Sequence, residues 1–174
     1  MAGYTVRQIG DPVLKQRAAA VTKIDGSLVS MVGTMFDTMY GADGCGLAAP
    51  QVGILKRFFI FDMGDEPGVL LNPEIVESAG ETVFSEGCLS IVGMRFDVVR
   101  PEFVTVAGVD LDGNELVIEA DDYFARMLQH ELDHLDGVLM LDRLDPDARK
   151  AALRELRRRD ESVALVPGGN PFGR

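Results

Sequence analysis

The sequence predicts a single domain of the α+β class, and two observations support this. Apolar residues recur at helical spacing over residues 26 to 40 and the chain returns to a helical pattern near residue 122, whereas short strand-like runs lie between. The 174 residues, 47% of them hydrophobic, can bury about 70% of the unfolded surface in one core. We therefore expect one domain over residues 1–166 and a mobile tail over 167–174.

The first helix is expected over residues 26 to 40, packed on a sheet. Asp25 or Ser27 can act as its N-cap, and Gly41 is expected to end it. Its apolar face is formed by Leu28, Val32, Met35, Phe36 and Met39.

Short runs typical of strands follow this helix. They comprise residues 57–61, 69–72, 75–78, 82–85 and 103–109. The stretch from Leu111 to Asn114 contains Asp-Gly and precedes another apolar run, Leu116 to Ile118, which indicates a β-hairpin and hence antiparallel pairing.

Two further helices are expected after the strands. Asp121 or Asp122 can cap one that ends near Gly137, and a second is expected to begin at Asp145-Pro146 and run to about residue 159. The basic cluster 157–159 at its end has two interpretations, a solvated helix end favoured by the helix dipole or a docking surface for an anionic partner.

Charge and cysteine content limit the classes of function. A net charge of −11 argues against nucleic acid as a ligand, because phosphate binding needs a basic surface. Residues 1–7 lack an apolar signal region, so we expect a cytoplasmic protein with Cys45 and Cys88 reduced. No apolar run approaches the roughly 20 residues that span a bilayer, so no membrane association is expected.

A His-Glu-x-x-His pattern, His130 to His134, contains both histidines of the chain. On a helix the two imidazoles share a face and can bind one divalent metal, while Glu131 stands where it can take a proton from water. This predicts a metal-dependent hydrolase. The alternative is that both histidines are half-buried residues of an ordinary amphipathic helix, each hydrogen-bonded to a carbonyl and without a metal.

The third metal ligand must be a carboxylate or a thiolate, because no other histidine exists. Cys88 is favoured, since Gly87 permits a bend that projects the thiol toward a helix; its alternative role is a small buried apolar residue. Glu155 would instead complete a zinc endopeptidase site. Cys45 could close a structural site in a metal-stabilised binding module without catalysis.

Three ordered segments resemble those of the bacterial peptide deformylase family. They are Gly44-Cys45-Gly46-Leu47-Ala48-Ala49-Pro50-Gln51, Glu86-Gly87-Cys88-Leu89-Ser90 and Gln129-His130-Glu131-Leu132-Asp133-His134-Leu135-Asp136-Gly137. The opening Ile9-Gly10-Asp11-Pro12-Val13-Leu14 is similar to that family as well, so the resemblance covers about residues 9 to 145.

The resemblance implies a fold of mixed and antiparallel sheets packed around a central metal-binding helix. It also implies removal of the formyl group from the N-terminal methionine of new polypeptides. The implied metal ligands are Cys88, His130 and His134, the implied acid and base is Glu131, and the implied donors to the formyl oxygen are Gln51 and the backbone N–H of Leu89. Gly46 and Arg95 would align the peptide.

The resemblance implies Fe²⁺ as the native metal, with Zn²⁺, Ni²⁺ or Co²⁺ as alternatives in purified protein, and ribosome docking through the C-terminal basic helix. Two departures from the family lie at the substrate rim: Cys45 stands in place of an aliphatic residue, and Val92-Gly93 where a proline is common. Both bear on peptide preference.

Two residues of the histidine helix have open roles. Met127 lies one turn before Glu131 and is a candidate wall of a methionine pocket or an ordinary core residue. Asp133 is expected either to orient a ligand or pair with an arginine such as Arg100, or to lie on the helix surface.

Overall fold

The structure, a computed structural model, describes residues 3–64 and 67–164, with the side chains of 160–164 left out. The helices are α1 (Gly26–Gly41), α2 (Asp122–Leu135) and α3 (Pro146–Ala164). The strands are β1 (Gly46–Ala48), β2 (Phe58–Phe61), β3 (Gly68–Ala79), β4 (Thr82–Cys88), β5 (Ile91–Arg100), β6 (Phe103–Val109) and β7 (Glu115–Ala120). The predicted tail, 167–174, lies outside the described residues.

The strands form two antiparallel sheets. Five strands pair in the order β1-β2-β3-β6-β7, and β4 pairs with β5 in a separate hairpin. The predicted α+β class with antiparallel sheets is confirmed. The predicted Asp-Gly hairpin is the connection between β6 and β7.

The five-stranded sheet carries one helix on each face. Phe58 and Ile60 of β2 pack in the same core cluster as the apolar face of α1, whereas Phe59 and Phe61 pack against α2. Because side chains alternate across a strand, a strand between two helices is apolar at every position. This explains why residues 58–61 lack polar alternation and why α2 is central.

The helix boundaries follow from their caps. The Asp25 carboxylate accepts hydrogen bonds from the backbone N–H groups of Ser27 and Leu28, as expected of an N-cap. Asp121 occupies the N-cap position of α2 without a side-chain hydrogen bond. Of the two residues predicted as caps in each case, Asp25 and Asp121 are therefore the ones used.

Two strands that had been predicted separately are one. Strand β3 runs through both segments, with a register shift between Leu71 and Glu74 on the β6 side. Pro73 has no N–H to give to a ladder, and Asn72 adopts φ 50° while its side chain bonds the backbone of Val21. The interruption in the pattern is thus an irregularity within one strand.

Helix α3 packs on the second sheet. Ala152, Leu153 and Leu156 join the cluster formed by β5 and the 3-10 helix Met140–Arg143. Helix α3 extends to Ala164, past the predicted end near residue 159. Among residues 3–64 and 67–164, no helix has both the length and the apolar character needed to cross a membrane.

Candidate metal centre and active site

Three predicted ligand atoms converge between α2 and the end of β4. The His134 Nε2 atom lies 3.3 Å from His130 Nε2 and 3.3 Å from Cys88 Sγ. One ligand atom from each of the three residues falls within 4.8 Å of the others, a group that could hold a metal ion. One helical turn supplies the two imidazoles, and the β4–β5 hairpin supplies the thiol.

Glu131 points into the same region from the interior of α2. The side chain is buried, and its Oε2 atom has no hydrogen-bond partner among the described residues. Burial raises the pKa of Glu131 to about 7, although the neighbouring His130 opposes the shift. A carboxyl group with a pKa near neutrality can both accept and release a proton.

Gly46 of β1 leaves the space that Glu131 needs. A Cβ atom at position 46 would lie 2.6 Å from Glu131 Oε1 and 3.0 Å from Met127 Sδ. Any larger residue would push the carboxylate aside. The glycine is required here by close approach of the strand to α2.

The Glu86 cluster, formed by Glu86, Arg100, Arg126 and His130, fixes one of the imidazoles. Glu86 accepts from His130 Nδ1 at 3.0 Å, from Arg100 Nε at 2.6 Å and from Arg126 Nη1 at 2.6 Å. Burial alone would raise the pKa of Glu86, but hydrogen bonds from His130 and Arg100 lower it to about 2. The carboxylate therefore holds the His130 ring with its Nε2 toward the cleft.

Asp133, three residues after His130 and on the same face of α2, extends this network. Arg100 Nη1 donates to Asp133 Oδ2 at 2.8 Å, and Arg143 donates to both carboxylate oxygens. Asp133 is buried, so the prediction that it pairs with Arg100 is confirmed. Arg100 thus joins the Glu86 cluster to the last turn of α2.

Gln51 and Leu89 flank the thiol. The Gln51 side chain is buried; its Oε1 accepts from Ala48 N at 2.8 Å, which directs Nε2 toward Ser90 Oγ at 3.3 Å and Cys88 Sγ at 3.8 Å. Leu89 lines the adjacent cleft. The hydrogen bond from Ala48 N fixes the orientation of the Gln51 amide, so its NH₂ group faces the Cys88 thiol.

The cleft beside this group has a volume of about 680 Å³. All the residues predicted to contact substrate line it: Cys45, Gly46, Arg95 and Met127. Met127 is buried, whereas Arg95 is exposed and its Nη2 donates to Ser85 O at 2.6 Å. Tyr123 also lines the cleft, with its hydroxyl 3.5 Å from Cys45 Sγ.

The two alternative ligands lie elsewhere. Glu155 belongs to α3, where it binds Arg158 and Arg159. Within the described ranges, the group of potential metal ligands contains neither Glu155 nor Cys45. Both cysteines are free thiols.

Sequence reasoning assigned no role to Glu86 or Arg126, although both are buried beside the site. A signal existed for their partner: Val98 and Arg100 lie two apart on β5, so alternation places Arg100 on the inner face with Val98. A buried arginine requires an acidic partner. The identity of that partner depends on the pairing of β4 with β5.

The donor set fits a divalent transition metal. One thiolate and two imidazoles are ligands suited to zinc or iron, and three protein ligands leave a position for water. Together, the antiparallel fold around α2, the ligand group and the adjoining buried glutamate define a metal-dependent hydrolase.

Comparison with known proteins identifies the family. Residues 4–150 match the model of the family described as polypeptide deformylase. Peptide deformylase 1 of Clostridium acetobutylicum is 51% identical over 144 residues, covering 83% of this chain and 96% of that protein. The crystal structure of a peptide deformylase from Legionella pneumophila superposes with a TM-score of 0.88 at 41% identity, covering 95% of this chain and all of the other.

The chain belongs to the polypeptide deformylase family. The predicted enzyme class is confirmed: it is a metal-dependent hydrolase that removes the N-formyl group from nascent peptides. The endopeptidase and binding-module alternatives are not favoured, because relatives at this identity are deformylases and Glu155 lies in a different cluster.

Proposed function

We propose that Cys88, His130 and His134 hold the metal that serves deformylation in this chain. The observation that carries the proposal is the convergence of these three ligand atoms beside the buried Glu131 carboxyl. When bound, a divalent metal supplies Lewis acidity, which can lower the pKa of water from 15.7 to about 7.

Glu131 acts as the general base and then as the general acid. It takes the proton from the attacking water and delivers it to the departing amine, so one water and the formylated chain yield formate and a free N-terminus. Its raised pKa, which burial brings to about 7, supports both directions of transfer.

Gln51 and Leu89 stabilise the oxygen on which negative charge grows. The Gln51 amide is held by Ala48 with its NH₂ group beside Cys88, and the Leu89 backbone N–H is the second donor. Loss of one such donor costs about 3 kcal/mol of transition-state stabilisation.

The remaining cleft residues bind the peptide. Gly46 and Arg95 align its backbone, Met127 lines the methionine pocket and Cys45 forms part of the rim. The flexible thioether of Met127 can adapt to an unbranched apolar side chain. The formyl carbon carries no side chain, so a narrow site admits it and excludes ordinary peptide carbonyls.

Iron is the proposed native metal, as Fe²⁺, with Zn²⁺, Ni²⁺ or Co²⁺ as possible replacements in purified protein. A donor set of one thiolate and two imidazoles is compatible with each of these ions. Metal analysis of protein purified without oxygen, combined with turnover after reloading each ion, tests this assignment.

The decisive experiment measures formate and free amine released from formyl-Met-Ala-Ser under anaerobic conditions. The wild type should release both in equal amounts. Cys88→Ala should lose metal and activity together, whereas Cys45→Ala, the matched change at the other cysteine, should keep the metal. Full metal content and turnover in Cys88→Ala would refute the ligand assignment.

A second variant separates metal binding from proton transfer. Glu131→Gln preserves size and should retain the metal, while turnover should fall by about 10²- to 10⁴-fold. Wild-type turnover in this variant would exclude Glu131 as base.

Ribosome docking through α3 is a further part of the proposal. Arg154, Arg157 and Arg158 are exposed on the helix, whereas its apolar residues face the core. Replacing the three arginines by glutamate should abolish co-sedimentation with ribosomes and leave hydrolysis of a free peptide unchanged. Unaltered co-sedimentation would refute this role. A substrate made at the ribosome also supports a cytoplasmic location.

A further inference from the structure

One wall of the substrate cleft is a bulge in β5, and the residues of this bulge have no ladder partners on β4. Cys88 of β4 pairs with Ile91, while the preceding residue Gly87 pairs with Arg95, so residues 92–94 bulge from the ladder. All three residues of this bulge line the cleft. Because a bulge interrupts ladder hydrogen bonds, its position depends on other contacts.

The centre of the bulge has an uncommon backbone conformation. Gly93 adopts φ +72° in the left-handed region, and the Val92 side chain is 70% exposed. Glycine populates both hands of the backbone readily. The conformation is therefore accessible, but the intrinsic preference of the chain does not enforce it.

Arg159 of α3 binds both carbonyls of this bulge. Its Nη1 donates to Gly93 O at 3.1 Å and to Val92 O at 3.5 Å. Glu155 accepts from Arg159 Nε at 3.1 Å, one turn earlier on the same helix, which orients the guanidinium toward the bulge. The Nη1 atom of a guanidinium carries two N–H donors and can bind two carbonyls at once.

The apolar residues of α3 pack on the same strand. Leu153 and Leu156 pack in one cluster with Ile91, Met94 and other residues of β5. The bulge is thus held between apolar packing at its two ends and a charged clamp at its middle.

From these contacts we infer that Arg159 is a positioning residue that holds the Val92–Gly93 wall of the cleft and thereby sets peptide affinity. It lies outside the ligand group and acts on substrate through the bulge. This inference rests on the proposed function, because the cleft must be the peptide site. The C-terminal helix then has a part in substrate binding in addition to any docking role.

The test uses Arg159→Ala with Arg158→Ala as its matched control. Both arginines bind Glu155 and both variants remove one positive charge from α3, but only Arg159 is seen to bind Val92 and Gly93. With formyl-Met-Ala-Ser and metal-loaded enzyme, Arg159→Ala should raise KM by about 3- to 10-fold and leave kcat within about twofold. Arg158→Ala should leave both constants unchanged.

A conservative variant and a stability measurement complete the experiment. Arg159→Lys keeps the charge but replaces the rigid planar guanidinium by an ammonium on a flexible stem, so its KM should lie between those of wild type and Arg159→Ala. Thermal unfolding of all three variants should match the wild type. Equal KM values for Arg159→Ala and Arg158→Ala, or a fall in kcat with constant KM, would overturn the inference. Turnover by the wild type tests the proposed reaction separately. An inactive wild type would refute the proposed function, whereas an active wild type with either of these outcomes would refute only the role of Arg159.

Discussion

Two glutamates, Glu86 beside His130 and Glu155 on α3, have the same pKa of about 2 in very different surroundings. The Glu86 side chain is 4% exposed and bound by Arg100, Arg126 and His130. The Glu155 side chain is 34% exposed, and its partner Arg158 is 76% exposed.

The equal pKa values arise from different balances. At Glu86, burial opposes ionisation and is outweighed by hydrogen bonds from His130 and Arg100. At Glu155, hydrogen bonds from Arg158 and Arg159 lower the pKa with little opposition from burial. If Glu155 lost its charge, water and salt ions could solvate its exposed partner Arg158. If Glu86 lost its charge, Arg100 and Arg126 would remain as buried charges without this counter-ion.

A shifted pKa therefore does not measure the structural importance of a group. The cost of removing a charge depends on what remains behind it. Around Glu86, two guanidinium groups and a ligand imidazole would lose their common acceptor. Around Glu155, the exposed Arg158 would turn to water, and Arg159 would keep its hydrogen bonds to the carbonyls of Val92 and Gly93.

The largest effect is expected for Glu86→Gln. Breaking a buried ion cluster by removal of one partner costs about 3–5 kcal/mol, so Tm should fall by on the order of 10 °C for a chain of this length. Metal affinity should also fall by about 10- to 100-fold, because His130 loses the group that orients it. Calorimetry and metal titration measure these effects. A Tm equal to that of wild type would show that the buried cluster does not contribute to stability.

An intermediate effect is expected for Arg126→Met. The variant removes hydrogen bonds to Glu86 Oε1, Val98 O and Thr82 O, but leaves Glu86 paired with Arg100. Denaturant unfolding should show a loss of about 1–3 kcal/mol. In combination with Glu86→Gln the losses should be less than additive, because both changes act on one network. Strict additivity would mean that the two side chains act independently.

The smallest effect on stability is expected for Glu155→Gln. Exposed ion pairs contribute little and are screened by salt, so Tm should stay within about 2 °C of wild type at low and high ionic strength. Calorimetry with and without 1 M NaCl measures this effect, because at that concentration charges are screened beyond about 3 Å. A Tm loss comparable with that of Glu86→Gln would remove the distinction between the two clusters.

Much of the site could be predicted from spacing. His130 and His134 lie one turn apart, and this periodicity requires only that α2 be a helix. The helix in turn followed from its cap and apolar pattern. Cys88 was favoured by the bend at Gly87 and by the resemblance, and Gln51 by the resemblance alone, since nothing in local spacing brings positions 51, 88 and 130 together.

The missed elements share a cause. Strand β5 begins with a bulge at 92–94 that breaks its alternation, and β1 is only three residues long, so neither gives a clear periodic signal. The roles of Glu86 and Arg126 depend on which strand faces which helix. Such information lies in contacts between residues up to 44 positions apart.

The sequence by itself determined the helices, most strands, the shared face of the two histidines and, through its motifs, the family. Those features depend on interactions within a few residues or on motif order. The tertiary structure alone decided that the thiol meets the imidazoles, that Glu86 holds one of them and that Arg159 reaches the cleft wall. These contacts join segments distant in the chain, and only the packing of the sheets around α2 brings their atoms within bonding distance.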